Sequence, residues 1–304
     1  MDDRPLVVSQ PFDPWGVNAI NMRSDAAKGM ALSAPATLYV GFLVAAPLAI
    51  LLAYSLWTQT YVSIDRTLTL ANYREAFTDP LVRHLMIRSI LIAGAVTVTT
   101  VALAYPIAYF IAFKAKRKTL WLLLITIPFW SSYLLRVFAW KLILGFNGVL
   151  NSALLGLGII EEPLTFLLYN EFAVVLTLAH AWAPFAILPI YVSLQKIDHS
   201  LLEAATDLGN GAVQRFLRVT LPLTVPGIIA ACMIIFIPTV GDYVTPSLVG
   251  GSDGKMIANL IQVQFGAANN WPLGATLSLL AMLAVGFVAI VFVLSASGLG
   301  RRIR

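Results

Sequence analysis

The chain has 304 residues, of which 59% are apolar and only 12% are charged, whereas a soluble domain of this size has about 25% charged residues. Its mean hydropathy of +0.83 also indicates too few polar side chains to cover a soluble globule. These values exclude most soluble enzymes, nucleic-acid binders and disordered chains. The net charge of +5 does not change this, because the basic residues are separated along the chain by long uncharged runs rather than gathered on one solvated face.

The first thirty or so residues differ from the rest of the chain. They are polar, begin with Asp2 and Asp3, and lack the basic region and apolar core of a cleavable signal peptide. We therefore predict a flexible cytoplasmic N-terminal arm over 1–33, followed by one membrane domain over 34–304.

Uncharged runs long enough to cross a bilayer recur from residue 29 onward. A helix needs about 20 mostly apolar residues to cross the hydrocarbon core. The chain is thus predicted to be an all-α, multi-pass membrane protein with six helical spans. Their predicted bounds are 35–57, 88–113, 119–141, 172–194, 224–247 and 272–297.

Two apolar stretches are not predicted to be spans. Residues 142–160 contain four glycines and two asparagines, which break a 20-residue helix, so a short re-entrant or interfacial segment is expected. The stretch 256–270 carries five Asn and Gln residues and is predicted to form an external amphipathic helix and turn.

The orientation follows from the distribution of Lys and Arg, which are more frequent in cytoplasmic segments. With the N-terminus inside, the cytoplasmic segments hold thirteen of the twenty basic residues and the external segments six, with Arg136 inside a span. The strongest anchors are the basic cluster at 114–118 and the basic C-terminus. Both termini are therefore predicted to lie in the cytoplasm.

The loop between the fourth and fifth spans, 198–222, has the pattern of a helical hairpin. Ser200 and Glu203 have the spacing of a capping box at a helix start. Gly209 suits the left-handed position that ends a helix, and a second short helix is predicted over 212–219, with Pro222 leading into the next span. Because one side of the hairpin is apolar, it is expected to be a site for a partner protein.

The same loop resembles the E-A-A-x3-G-x9-I-x-L-P motif in membrane subunits of binding-protein-dependent ABC importers. Six positions match at the motif's spacing, and the one departure is valine in place of isoleucine. The residues at the motif's positions are Glu203, Ala204, Ala205, Gly209, Val219, Leu221 and Pro222. The resemblance implies that this loop couples the bundle to an ATPase subunit. Helix capping by Glu203 and helix termination by Gly209 are compatible with that role.

The chain from about residue 35 also resembles the spermidine/putrescine-type permease branch. The stretches that carry this resemblance are 71–73, 133–140, 242–251, 261–265 and 270–275. It implies a type I ABC importer permease of the bacterial inner membrane, working by alternating access. The implied partners are a second, different permease chain, two copies of an ATPase subunit that bind ATP and magnesium, an external binding protein and the lipid bilayer, with no nucleic acid.

The implied substrate is a polyamine or a similar organic cation. Importers of an anion, ferric iron or thiamine remain open as alternatives, as does a stand-alone secondary transporter or channel. No nucleotide site is expected in the chain itself, because the glycine-rich stretch 250–256 lacks the register and the Ser/Thr of a phosphate loop. The chain is accordingly predicted to be a transport subunit rather than an enzyme, with no cofactor, metal site or catalytic residue of its own.

Polar and aromatic residues inside the spans are the candidates for a translocation pathway, because ionisable groups in a membrane are costly. Arg136 is expected to form a structural or gating ion pair, in preference to a substrate contact. Asp242, with Tyr243 next to it in the chain, suits a cation through charge and cation–π attraction, although a helix-end acid is an equal alternative. Trp182 is the tryptophan most expected to face a cavity, and His180 is expected to be a core histidine.

Overall fold

The computed structural model describes residues 22–60 and 63–302. Residues 1–21 of the predicted arm and the last two residues of the basic C-terminus lie outside the described residues. Two compact units divide the chain, 1–51 and 52–304. The first contains most of the long helix α1 (Met22–Ser55), so the backbone of residues 22–33 of the predicted arm is helical. The boundary at 33/34 stays a prediction.

The second unit holds the other elements. A short hairpin, β1 (Thr58–Thr60) with β2 (Ser63–Asp65), pairs Gln59 with Ile64. Twelve further α-helices follow among the described residues, namely α2 (Ala71–Thr78), α3 (Pro80–Phe113), α4 (Lys118–Thr126), α5 (Tyr133–Leu144), α6 (Val149–Gly156), α7 (Glu171–Gln195), α8 (His199–Asp207), α9 (Ala212–Arg215), α10 (Leu221–Val240), α11 (Val244–Val249), α12 (Ile257–Phe265) and α13 (Trp271–Arg302).

Six segments of the described residues are long and apolar enough to cross a membrane. They confirm six spans, and the first, second, fourth and sixth lie where the sequence predicts them. The second begins earlier than predicted, at Pro80, because the Asp79 carboxylate accepts a hydrogen bond from the Leu81 N–H and caps the helix. The predicted external helix is also present, as α12.

The prediction of one span over 119–141 is wrong. Helix α4 passes into a 3-10 turn at Ile127–Trp130, and the chain is extended at Ser131 before α5 begins. Pro128 has no N–H and cannot donate a helical hydrogen bond. Its carbonyl accepts a hydrogen bond from the Ser131 hydroxyl. The break therefore follows from local backbone chemistry.

The membrane-length segment at this point is 133–156, which includes much of the excluded stretch 142–160. The helix does stop at Gly145, as the glycines predict, but α6 resumes at Val149. The buried Asn151 side chain donates to the carbonyls of Gly145 and Phe146 and accepts from the Leu164 N–H. This one amide side chain thus provides hydrogen-bond partners for backbone groups that would have none inside a membrane.

The centre of the second unit is formed by α3, α7 and α10. Buried small and branched side chains line their contacts, such as Ala108, Ile190 and Ile235. At Gly227 of α10 an added Cβ would lie 2.7 Å from the Pro189 carbonyl of α7. Only glycine permits this approach, in line with the small residues that fill helix contacts in membranes.

A second apolar cluster joins α3 and α10 to α2, α12 and α13 through residues such as Phe236, Ile257 and Leu277. Asn72, in the stretch 71–73, donates to the carbonyls of Ser55 and Trp57 and thereby fixes α2 to the chain ahead of it. The two ends of α10 are about 30 Å apart by helical rise. The 198–222 loop and Asp242 consequently lie at opposite ends of the bundle.

Candidate coupling loop and distal cluster

Helix α8 of the 198–222 loop begins at a different cap from the one predicted. The Asp198 carboxylate accepts a hydrogen bond of 3.0 Å from the Ser200 N–H, whereas Ser200 lies inside the helix. The predicted Ser200–Glu203 capping box is therefore wrong. Hydrogen bonds from Ser200 stabilise the charged form and hold the pKa of Asp198 below its ordinary value, with a smaller contribution from His199.

Helix α8 ends as the sequence predicts, at Gly209. This residue has φ +80°, in the left-handed region. The Gly209 N–H donates to the Thr206 carbonyl at 2.9 Å and the Asn210 N–H to the Ala205 carbonyl at 3.1 Å, which is the Schellman pattern. Since an added Cβ at Gly209 would meet no atom within 4 Å, the backbone angle alone requires glycine here.

The second half of the loop differs from the prediction of a separate helix over 212–219. Helix α9 passes through a π-helical turn, Phe216–Thr220, directly into α10, so the fifth membrane segment runs over 212–240. Pro222 cannot donate a helical hydrogen bond, and the turn before it is wider, with the Leu221 N–H bonded to the Phe216 carbonyl five residues back. The loop is consequently continuous with a membrane helix.

The side of the loop that faces the bundle is held by aromatic contacts with α3. Phe216 packs edge-on against Tyr105 and Tyr109, with ring centroids 5.6 and 6.1 Å apart. The Tyr105 hydroxyl bonds the buried Thr224 hydroxyl of α10 at 2.9 Å, and His199 packs against Phe113. These contacts join α8 and the turn after α9 to α3 and α10.

The other side of the loop leaves large apolar side chains exposed. The exposed fractions are 48% for Leu201, 83% for Leu208, 71% for Val213 and 54% for Leu217. These four residues are called the apolar face below. Of the motif residues, Ala205 is buried, Glu203 and Ala204 are exposed, and Val219, Leu221 and Pro222 are half-buried. The loop therefore presents an apolar, partly charged surface on a structured base.

At the opposite end of the bundle, Asp242 lies between α10 and α11 and both of its carboxylate oxygens are bonded. Oδ1 accepts from the Val244 N–H at 2.9 Å, and Oδ2 accepts from the Tyr133 hydroxyl at 2.6 Å. Tyr133 also bonds the Thr245 hydroxyl. Asp242 thus caps α11 and joins it to α5, which agrees with the helix-end alternative and leaves neither oxygen unbonded.

Arg136 lies one helical turn after Tyr133, and the part of the chain that the structure describes contains no ion pair for it. Within the described residues its guanidinium donates to the Ala181 carbonyl at 3.3 Å and lies 5.9 Å from the ring centroids of Phe129 and Tyr133. Its Nε is buried without a hydrogen bond. Arg136 is held by a carbonyl dipole and two aromatic faces. We call Phe129, Tyr133, Arg136, Asp242 and Thr245 the distal cluster.

The remaining pathway candidates lie in different surroundings. Trp182 is half-buried, its indole N–H has no hydrogen-bond partner, and its ring packs on Phe185, which in turn contacts Phe129. Tyr243 is not part of the distal cluster. It lines an apolar groove of about 790 Å³ between α10, α12 and α13. His180 accepts a hydrogen bond from the Trp140 indole N–H, but it is an exposed residue, so the expectation of a core histidine is wrong.

Several residues of these sites were not predicted from the sequence. Tyr133 and Thr245 complete the distal cluster but are more than one hundred residues apart in the chain. Tyr105, Tyr109 and Phe216 anchor the loop. Tyr133 and Thr245 stand, like Arg136 and Asp242, in stretches that carry the family resemblance, and that is the one signal available for these two residues.

Comparison with known proteins gives the family. The sequence profile of the binding-protein-dependent transport system inner membrane components matches residues 32–304. The spermidine/putrescine transport system permease protein PotB of Haemophilus influenzae is 38% identical over 70% of this chain and 74% of its own length. The PotB protein of Escherichia coli is 36% identical over 75% of this chain and 83% of its own.

Among solved structures, a bacterial alginate ABC transporter in complex with an alginate pentasaccharide-bound periplasmic protein contains a similar chain. The TM-score is 0.67 at 17% identity, covering 93% of this chain and 96% of that one, which supports the predicted fold. The chain therefore belongs to the family of binding-protein-dependent transport system inner membrane components, and it is a multi-pass inner-membrane permease subunit of an ABC importer, a transport subunit rather than an enzyme.

Proposed function

We propose that this permease imports a polyamine or a similar organic cation, delivered by an external binding protein. The two relatives named as spermidine/putrescine permeases support this substrate class. The observation that carries it is the Asp242 carboxylate in the distal cluster, where its Oδ2 is bonded to the Tyr133 hydroxyl. A carboxylate attracts an ammonium group.

The bonding of Asp242 adds a mechanistic step to the proposal. In the described arrangement its Oδ2 is occupied by the Tyr133 hydroxyl, which connects α5 to α11. A cationic substrate binds this carboxylate when the Tyr133 hydroxyl no longer bonds to it. Breaking and remaking the Tyr133–Asp242 bond then accompanies the change between outward-open and inward-open states.

Uptake of labelled putrescine by the reconstituted importer tests the substrate class. We expect the wild-type complex to import putrescine and Asp242→Asn to import it about tenfold more slowly, because the amide lacks the charge that attracts an ammonium group. Asp253→Asn, an exposed acid nearby in the chain, is the matched control and keeps the wild-type rate. Absence of putrescine uptake by the wild type, or unchanged uptake by Asp242→Asn, contradicts the proposal.

One observation favours a second candidate, an anionic solute. Arg136 has no carboxylate within 4 Å among the described residues, so its charge is free to attract an anion. The same uptake assay distinguishes the two. An anion importer takes up a labelled carboxylate and loses that uptake in Arg136→Gln, whereas a cation importer shows neither result.

We further propose that the apolar face and Glu203 bind an ATPase subunit. Two copies of that subunit supply the ATP and magnesium, and a second, different permease chain completes the pathway. Support comes from the aromatic base of the loop, which connects this surface to α3 and α10. Closure of the ATPases on ATP then moves α8, and the bundle follows.

Charge reversal at Glu203 tests the docking proposal. Glu203→Lys is expected to abolish transport-coupled ATP hydrolysis while the protein still inserts, because it reverses the charge of an exposed motif residue on α8. Asp207→Lys, on the same helix and also exposed, is the matched control. Coupling that survives Glu203→Lys, or that is lost equally in Asp207→Lys, removes Glu203 from the interface.

The topology that this arrangement requires places both termini and the 198–222 loop in the cytoplasm. The excess of basic residues on this side supports it. A cysteine at Lys116, in a Cys232→Ala background, is expected to react with an impermeant thiol reagent only after the cell membrane is permeabilised. Labelling of this cysteine in intact cells would place residue 116 outside the cell membrane and contradict the proposed topology.

A further inference from the structure

A polar cleft lies between the end of α3 and the inner side of the 198–222 loop. Its volume is about 250 Å³. Helix α8 contributes one face to it through His199, Leu202, Glu203 and Thr206, which have the i, i+3, i+4, i+7 spacing of one helix side. Lys114 at the end of α3 and Arg215 of α9 also line the cleft. None of the four residues of the apolar face lines the cleft, whereas Glu203, which is exposed, does.

The charges in the cleft are mainly positive. The Arg215 guanidinium donates to the Thr206 hydroxyl at 2.7 Å, and that hydroxyl donates to the Leu202 carbonyl, so the arginine is held in place. Within the described residues no carboxylate lies within 4 Å of Lys114 or Arg215. Glu203 is the one acid among the lining residues. The cleft therefore offers two unpaired cations, together with the His199 ring, to an anion.

The surroundings of the cleft add to this charge. Lys116, Arg117 and Lys118 follow shortly after Lys114, giving four basic residues within five positions at the end of a membrane helix. Such clusters attract anionic lipids, and basic pockets between membrane helices bind lipid headgroups.

We propose that this cleft binds a phosphate group, that of an anionic lipid headgroup, between Lys114 and Arg215. The occupant touches both α3 and the inner side of α8, so it stabilises the loop against the bundle. The anionic lipid content of the membrane then adjusts how effectively the loop transmits ATPase movement. The inference rests on the proposed topology, which places the cleft at the cytoplasmic leaflet.

Native mass spectrometry of the detergent-purified importer complex tests this, with phosphatidylglycerol and phosphatidylcholine supplied in equal amounts. We expect wild type to retain phosphatidylglycerol selectively and Lys114→Gln/Arg215→Gln to bind it about thirtyfold more weakly, since each basic residue near the surface contributes about fivefold. Arg218→Gln is the matched control, because Arg218 is directed to the Asn210 side chain rather than lining the cleft. It is expected to retain the lipid as wild type does.

A charge-conserving variant shows whether a loss of lipid binding is caused by loss of charge or by misfolding. Lys114→Arg/Arg215→Lys keeps both cations and is expected to retain phosphatidylglycerol. The proposal is overturned if Lys114→Gln/Arg215→Gln retains the lipid as wild type does, if Arg218→Gln loses as much, or if the charge-conserving variant loses it. Inorganic phosphate is a separate arm, and its displacement of the lipid from the wild type at millimolar concentration assigns the cleft to free phosphate instead.

The lipid readout is independent of the proposed substrate. An importer that fails to take up putrescine but retains phosphatidylglycerol through Lys114 and Arg215 contradicts the proposed function and leaves this inference standing. An importer that takes up putrescine but does not retain phosphatidylglycerol selectively contradicts this inference and leaves the proposed function standing. In vesicles, adding phosphatidylglycerol to phosphatidylcholine is expected to raise transport-coupled ATP hydrolysis severalfold in the wild type and not in Lys114→Gln/Arg215→Gln.

Discussion

The coupling loop and the distal cluster stabilise their polar groups in different ways. In the loop, Asp198, Gly209 and Asn210 make bonds to backbone groups within a few residues. In the distal cluster, Tyr133 bonds side chains more than one hundred residues away on another helix. We therefore expect the loop to keep its shape when helices move and the distal cluster to separate. The loop is accordingly suited to transmitting force, and the distal cluster is suited to opening.

The largest effect is expected from breaking the end of α8. Gly209→Pro cannot adopt φ +80° and removes the N–H that bonds Thr206, so transport-coupled ATP hydrolysis is expected to be lost while membrane insertion is kept. Gly209→Ala, for which a left-handed backbone costs about 1–2 kcal/mol, is expected to have an intermediate effect.

Gly211 supplies the matched control. It has φ −66° and open space around its Cα, so Gly211→Ala is expected to couple far better than Gly209→Ala. Equal coupling by the two alanine variants, measured as substrate-stimulated ATP hydrolysis in proteoliposomes, would show that the left-handed turn is not needed.

The next largest effect is expected in the distal cluster. Tyr133→Phe removes the hydrogen bond to Asp242, and a bond to a charged group is worth about 2 kcal/mol, or roughly thirtyfold in a two-state equilibrium. Separation of α5 from α11, measured between spin labels by electron paramagnetic resonance, is expected to become much more frequent without ATP. Tyr169→Phe, an exposed tyrosine outside the cluster, serves as the control, and an unchanged distance distribution in Tyr133→Phe argues against a state-dependent bond.

A pair of substitutions compares the two sides of the loop. Phe216→Ala removes the contacts with Tyr105 and Tyr109 and is expected to lower the stability of the permease by about 2 kcal/mol. Leu217→Ala, on the exposed side, is expected to leave thermal stability unchanged and to weaken ATPase binding. If Leu217→Ala also destabilises the isolated permease, the apolar face is part of its core.

The smallest effect concerns the cap of α8. Because the folded-state pKa of Asp198 is lowered, the carboxylate stabilises α8 at pH values above the ordinary aspartate pKa, and this contribution is lost as the pH falls through the lowered value. After correction for intrinsic exchange rates, amide hydrogen exchange near Ser200 is expected to show constant protection from about pH 5 to 8. Asp198→Ala is expected to lose that protection throughout, whereas a wild-type loss of protection near neutral pH would contradict the cap.

The sequence predicts some local features correctly, and it gives little information on contacts between distant parts of the chain. The sequence identifies Gly209 because a left-handed backbone angle has a local signature. It identifies the spans because each is a long run of consecutive apolar residues. The error over 119–141 arose where apolar composition continued through Pro128 and Ser131, although the helix did not. For Arg136, the partners found within the described residues are the Ala181 carbonyl and two rings, and such contacts have no signature in sequence spacing.

The central claim is that the outward side of the 198–222 loop binds the ATPase subunit, and site-specific cross-linking tests it most directly. In a Cys232→Ala background, a photoreactive cross-linker on a cysteine at Leu208, the most exposed residue of the apolar face, is expected to join the permease to the ATPase in the assembled complex. The same cross-linker at Trp130, near the distal cluster, is expected to give no such product. Absence of the Leu208 product, or an equal yield from Trp130, would contradict the account.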